Sequence, residues 1–224
     1  HDVYLLNKQG DNLSRLGRFM DAIECYDKAL MIEPDNIYIL NNKAIALLNS
    51  GNINEALKVS NIAYNYRPSS PIVLYWRGFI FEMLGRYEDS LKVYDKLIVI
   101  DSENPEVWNS RGNLLTDMGM LEEAIESFNK AVEVCLDDSE MDAAAINRMG
   151  NAYIDIGKLD DALDCFNKAI SLEKNNIDFL LNKGVVLMEL GKFEEAVDSF
   201  NRVLLRSPDN EDAFFLKEEC LEYL

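Results

Sequence analysis

Apolar residues fall three and four positions apart along two neighbouring stretches near the end of the chain, IDFLLNKGVVLMEL and FEEAVDSFNRVLLR. That is the period of helices that bury one side. Between the stretches stands Gly191, where a helix is expected to stop in the left-handed conformation. The pattern therefore predicts a pair of helices joined by a tight turn. Glycines show that the pair recurs. One series runs Gly17, Gly51, Gly85, Gly119, Gly157 and Gly191, in steps of 34 residues with a single step of 38. A second series, Gly10, Gly78, Gly112, Gly150 and Gly184, precedes the first by seven residues, and Ala44 takes the remaining place. Together they account for all 11 glycines. The prolines are phased as well: Pro34, Pro68 and Pro208 share one position, and Pro71 and Pro105 share another three residues later. Helix breakers therefore lie between repeats and not inside them.

Charge follows the same period. Acids crowd the start of every second helix: Asp21, Glu55, Glu88, Asp89, Glu122, Glu123, Asp160, Asp161, Glu194 and Glu195. They face the positive end of the helix dipole. First helices begin behind Ser or Asn caps, as at Ser70-Pro71 and Asn104-Pro105. The first-helix glycine and a second-helix alanine, Gly150 with Ala162 and Gly184 with Ala196, are expected to remove bulk where the two helices pack, with Phe166 or Phe200 filling the wedge. The step of 38 places four extra residues near Asp138 to Asp142, in a helix or a loop.

The chain has 224 residues, 48% of them apolar and 28% charged, which describes a folded protein. With 22 basic against 40 acidic residues its formal charge is −18. Such a surface repels phosphate backbones, so neither nucleic acid nor an anionic membrane is an expected partner. No long uncharged apolar run and no basic leader is present, and the chain reads as cytoplasmic. It begins with His1 and not Met, which leaves open whether it belongs to a longer protein. Cys25, Cys135, Cys165 and Cys220 are far apart and the chain holds one histidine, so no zinc, other metal or redox site is expected. No cofactor is implied either. No internal histidine offers a general base, and every glycine is already assigned to a turn or a packing contact, so an enzyme is not expected.

With units beginning at Val3, Ile37, Pro71, Pro105, Ala143 and Ile177, the chain resembles the tetratricopeptide repeat (TPR) family. The fourth unit carries Trp108, Gly112, Leu115, Gly119, Ala124, Phe128 and Ala131 of that signature, and the fifth adds Tyr153, Ala162, Phe166 and Ala169. Departures are local: Ser90 for the second-helix Ala, Ser60 for its aromatic, and Ser102, Leu136 and Lys174 for the closing Pro. The resemblance implies an all-α, right-handed α-solenoid forming a single array over residues 1–224. Its repeats are 3–36, 37–70, 71–104, 105–138, 143–176 and 177–210, and residues 211–224 form a capping helix that covers the last repeat.

In TPR proteins positions 2, 5, 6, 9, 12 and 13 of each unit line a concave groove, while positions 4, 7, 8 and 11 pack inward. Trp108 falls on the packed stripe and is expected in the core; Trp76 falls on the groove stripe. Around it stand Tyr38, Ile45, Leu48, Ile72, Tyr75, Phe79 and Met83, either a partner site or a cluster covered within the molecule. The groove phases also carry Asn41, Asn42, Asn109, Asn113, Asn147, Asn151 and Asn182. Such a ladder of amides suits the backbone of an extended peptide, and resembles the asparagine arrays of O-linked glycosyltransferases and kinesin light chains. Asparagines that cap turns or bond their own helix are the alternative. Arg148 is one of few basic groove residues, with Lys8 and Arg15, so the carboxylate clamp of chaperone-binding TPR proteins is absent. Asp11, Glu82, Glu106, Asp117, Asp155, Asp178 and Glu189 favour a neutral or basic segment. The expected activity is protein or peptide binding. Homo-oligomerisation and a regulatory or recruiting arm of a larger enzyme, such as a glycosyltransferase, are the alternatives.

Overall fold

The computed structural model describes residues 3–135 and 141–224. Among these, the chain forms thirteen α-helices and no strand. Six consecutive pairs make up most of it: α1 (Val3–Arg15) with α2 (Phe19–Leu30), α3 (Ile37–Asn49) with α4 (Ile53–Tyr66), and α5 (Pro71–Met83) with α6 (Tyr87–Ile100). Then follow α7 (Pro105–Asp117) with α8 (Leu121–Val134), α9 (Ala143–Asp155) with α10 (Leu159–Leu172), and α11 (Ile177–Glu189) with α12 (Phe193–Leu204). A single helix, α13 (Glu211–Leu221), ends the chain. The first residues of the six odd-numbered helices that open pairs are the unit starts read from the sequence. Packing divides the chain into two compact units, His1–Val107 and Trp108–Leu224, with the boundary inside α7.

Each pair is closed by the same turn. The six glycines of the first series have φ between 68° and 81°, a region costly for a residue with a β-carbon. After α1, the amide of Gly17 donates to the carbonyl of Ser14 at 3.0 Å and that of Arg18 to the carbonyl of Leu13 at 2.9 Å. These two bonds satisfy carbonyls that the helix end would otherwise leave open. The residue after each glycine makes no side-chain cap, as at Arg18 and Lys192. The acids of the next turn therefore supply what the missing cap does not, and Arg18 pairs with Asp21 at 2.6 Å.

First helices start differently. Asn36 accepts from the amides of Tyr38 and Ile39 at 3.2 and 3.3 Å, and Asn176 and Asn210 serve α11 and α13 in the same way. Ser70 departs from the expectation and makes no side-chain cap bond. There Pro71 presets the first helical φ by its ring. The four additional residues expected near Asp138 to Asp142 fall mostly outside the described residues; Asp142 itself caps α9, accepting from Ala144 at 2.9 Å.

Inside each pair a ring fills the space left by a missing side chain. A β-carbon built at Gly150 would lie 2.7 Å from Cε1 of Phe166. The glycine thus makes room for the aromatic ring expected in the wedge, and Ala162, its expected small partner on the second helix, is fully buried. Where Ala replaces Gly, at Ala44, the second helix carries buried Ser60 in place of the ring. Ser90, the other small substitution, is buried and donates to the carbonyl of Gly78 at 2.9 Å. In the first unit Ala22, Tyr26, Ile39, Leu40, Ala46 and Val59 share one core; in the second, Ala162, Phe166 and Val186 pack with Tyr153 and Leu163. Trp108 is half-buried and not sealed in the core as expected, since an indole rarely fits wholly inside a site that takes Leu elsewhere. Helix α13 packs on α12 and α11 and buries Ala213 and Cys220, while Phe214, Phe215 and Leu221 stay exposed. The cap therefore covers the last repeat and turns a mixed face outward, with Glu211, Asp212, Glu218 and Glu219 exposed beside those apolar groups. No helix among the described residues is long and apolar enough to cross a membrane.

Candidate functional site

In the first unit α1, α3 and α5 are neighbours, so groove-phase residues one repeat apart come together. At the third repeat the expected aromatic cluster is assembled by one helix. Tyr75 and Trp76 meet edge to face, with ring centres 5.6 Å apart, and Trp76 meets Phe79 in the same way at 5.9 Å. Edge-to-face rings place positive ring edges on negative faces and hold one another rigid. Tyr75 also leans on Tyr94 of α6 and donates from its hydroxyl to Glu106 Oε1 at 3.1 Å. All three rings are half-buried. They are thus supported by the protein without being sealed beneath it. A cavity of about 330 Å³ opens between Ile72, Tyr75, Trp76, Leu97 and Glu106. Ile45 is half-buried, whereas Tyr38, Ile72 and Met83 are exposed.

The asparagines do something the sequence did not foresee. Asn42 Nδ2 donates to Asn7 Oδ1 at 3.2 Å and to Asp11 Oδ1 at 3.0 Å. In the second unit Asn182 Nδ2 donates to Asn147 Oδ1 at 3.1 Å, and Arg148 Nη1 to Asn113 Oδ1 at 2.9 Å. In every case the sixth position of one repeat donates to the fifth or ninth position of the repeat before. These polar groups stitch consecutive first helices together. Asn41 and Asn147 are buried, which departs from the expected ladder of amides open to a peptide: the fifth position faces the next first helix. Asn109 is half-buried and Asn151 is exposed.

The stitch is broken at Trp76. It occupies the sixth position of repeat three, where Asn42, Arg148 and Asn182 serve repeats two, five and six and where Lys8 and Ser110 stand in repeats one and four. Asn41, at the fifth position of the repeat before, is 2% exposed and its Nδ2 has no hydrogen-bond partner. A buried donor without a partner costs about 1–3 kcal/mol. The aromatic cluster therefore replaces a polar contact that holds other repeats.

Three of the acids expected to face a partner are engaged within the protein, Glu106 by Tyr75 as described. Asp11 accepts from Asn42 and also from the hydroxyl of Tyr26 at 3.0 Å. Burial, and then that hydrogen bond, push the Tyr26 phenol up. Glu82 lies 3.3 Å from Ser90 Oγ and helps push up the phenol of Tyr94, where burial is the larger cause. Sequence reasoning also passed over Tyr4. It is exposed, at the same second position as Tyr38 and Ile72, and that shared phase was the available signal. Among the described residues no three His, Cys, Asp or Glu side chains converge to hold a metal ion.

No curated protein matches the chain by sequence. Tetratricopeptide repeat profiles match residues 3–36, 25–58, 103–175 and 147–211, and a TPR repeat profile matches 83–119. Among solved structures, PilW, described as a widely conserved type IV pilus biogenesis factor, superposes with a TM-score of 0.81 at 17% identity, covering 96% of this chain and 97% of its own. YrrB, described as a TPR protein with an unusual peptide-binding site, gives 0.70 at 21% identity over 88% of this chain and 99% of its own. MamA gives 0.65 at 23% identity over 74% of this chain and 94% of its own. At these identities the likeness concerns the fold. With the profiles spread over both units and six helix pairs of matching period, the chain belongs to the tetratricopeptide repeat family.

Proposed function

We propose that this protein is a non-catalytic scaffold that binds an extended or helical segment of a partner protein on the face of its first helices. The carrying observation is the Tyr75–Trp76–Phe79 cluster, held edge to face beside an open cavity and set in place of an inter-repeat hydrogen bond. Rigid, half-buried aromatic rings are the side chains on which truncation costs most at interfaces, about 2 kcal/mol or more each. Tyr38, Asn42, Ile45, Ile72 and Met83 border the same face in the first unit; in the second unit Asn109, Asn113, Arg148, Asn151 and Asn182 stand at the corresponding positions of its own first helices. The peptide-binding site named for YrrB supports this reading by analogy of fold.

The test uses tagged protein to capture partners from an extract of the source cells, followed by titration of the captured partner. Tyr75→Ala with Trp76→Ala is expected to weaken binding at least about tenfold while leaving the circular-dichroism spectrum unchanged. Unchanged affinity in that double variant would overturn the assignment of the face. A variant with Trp108→Phe leaves Trp76 as the single tryptophan, so its fluorescence should shift on binding.

A further inference from the structure

Three cavities of the first unit lie along one edge, where the turns between repeats meet the starts of the first helices. One of about 260 Å³ is bordered by Tyr4, Asn7 and Tyr38. The next, of about 690 Å³, is bordered by Tyr38, Asp35, Arg67 and Pro68. The third is the 330 Å³ cavity beside Ile72 and Tyr75. The second residues of α1, α3 and α5 border them: Tyr4 lines the first, Tyr38 lies between the first and the second, and Ile72 lines the third; Tyr4 and Tyr38 are each 63% exposed and Ile72 is 37% exposed.

Helix stability does not explain this row. The first turn is where a carboxylate gains about 0.3–1 kcal/mol from the dipole, and the second residues of α7, α11 and α13 are Glu106, Asp178 and Asp212. Helices α1, α3 and α5 have no acid in the first turn. They forgo that gain and place a ring or an aliphatic group in water instead. The acids lie on the rims: Glu33 and Asp35 border the second cavity, Asp101 and Glu106 the third, against the single cation Arg67 among the lining residues. Two of these carboxylates are fixed by the cap residues, Glu33 accepting from Asn36 Nδ2 at 2.7 Å and Asp101 from Asn104 Nδ2 at 3.0 Å.

We infer that this edge docks a basic segment in the polyproline II conformation that carries an apolar side chain at every third residue. The inference rests on the proposal that the first unit binds polypeptide, and names the chemistry of the segment. Helices packed side by side stand about 8–10 Å apart. A polyproline II chain advances about 3.1 Å per residue and returns to the same face every third residue, about 9 Å on. A β-strand returns every second residue, after about 6.6 Å, and falls out of step. A helix presents a stripe about 100° wide, whereas the row offers one residue per repeat. The three pockets take the apolar groups, and the rim carboxylates take Lys or Arg between them.

The test is fluorescence anisotropy with four short labelled peptides: Leu-Lys-Pro repeats, Leu-Glu-Pro repeats, a permuted peptide of the first composition with its leucines in adjacent pairs, and a basic helical peptide with Leu at every seventh residue. Leu-Lys-Pro repeats are expected to bind at least about tenfold more tightly than the other three, and to weaken as salt is raised. Tyr38→Ser is expected to lower that affinity at least about tenfold, and Ile72→Ser is read in the same way should Tyr38→Ser alter the melting curve. Equal affinity for the four peptides, preference for the helical one, absence of binding, or wild-type affinity in a folded Tyr38→Ser variant would each overturn the inference. If the latter occurs while Tyr75→Ala with Trp76→Ala abolishes partner binding, the first-helix face stands and the edge strip falls.

Discussion

The ring of Phe166 lies so close to Gly150 that a β-carbon there would stand 2.7 Å from its Cε1. The same relation joins Gly10 to Tyr26, Gly78 to Tyr94, Gly112 to Phe128 and Gly184 to Phe200. Repeat two resolves the same space with Ala44 and Ser60, both buried. Gly150→Leu is therefore expected to overpack the pair and cost about 1–3 kcal/mol, read as a lower midpoint in urea. Phe166→Ser alone should leave a cavity. Gly150→Ala combined with Phe166→Ser copies repeat two, and its cost should fall short of the sum of the single changes by about 0.5–3 kcal/mol. Strict additivity in that cycle would count against a shared contact.

Asn41 offers the opposite experiment. Its Nδ2 is buried without a partner, so Asn41→Leu removes an unpaid desolvation and should stabilise the protein by about 1 kcal/mol. A lower melting temperature in this variant would show that the amide finds a partner in solution.

Arg77 lies between two rings, its Cζ 4.7 Å from the centre of Tyr64 and 4.9 Å from that of Phe81, and it donates to Asn61 Oδ1. Burial holds its pKa below the ordinary arginine value. The guanidinium thereby joins α4 to α5. Arg77→Lys keeps the charge but loses the flat stacking group, and is expected to cost about 1 kcal/mol, with Arg77→Ala costing about 2 kcal/mol. Chemical denaturation of the two variants checks the order.

Alkali should unfold the protein sooner than acid-base behaviour of free side chains would suggest. Burial, and then the charges of Asp161 and Asp164, push the Cys165 thiol up to about 12. The phenols of Tyr26 and Tyr94 are raised as well, chiefly by burial. In each case the folded chain keeps a proton that the unfolded chain releases earlier. Between about pH 9 and 12 the unfolded state binds fewer protons, so stability is intact below that window and falls as pH rises through it. Melting temperatures taken from about pH 8 to 11 should decline, and Cys165→Ala should decline less. A flat profile would remove the argument.

The period of glycines, the phased prolines and the acids at second-helix starts made the helix pairs legible, because each reports a local requirement: a left-handed turn, a helix break, a dipole. The role of the asparagines was not. Asn42 and Asn182 stand at the phase where a peptide contact was expected, yet each spends its amide on the repeat before. Spacing within one helix gives the face of a side chain, and is silent on whether the next helix supplies an acceptor within 3.2 Å.

The chain by itself determined that helices pair in units of mostly 34 residues and where the pairs turn, since those follow from backbone sterics and the 3.6-residue period. Only the tertiary structure decided how closely the ring of Phe166 approaches Gly150, that Asn41 is buried without a partner, that Tyr38 stands between two open cavities and that Ile72 borders a third. Those outcomes depend on the approach of helices remote in sequence, where a few tenths of an ångström settle whether a group is packed, paired or exposed.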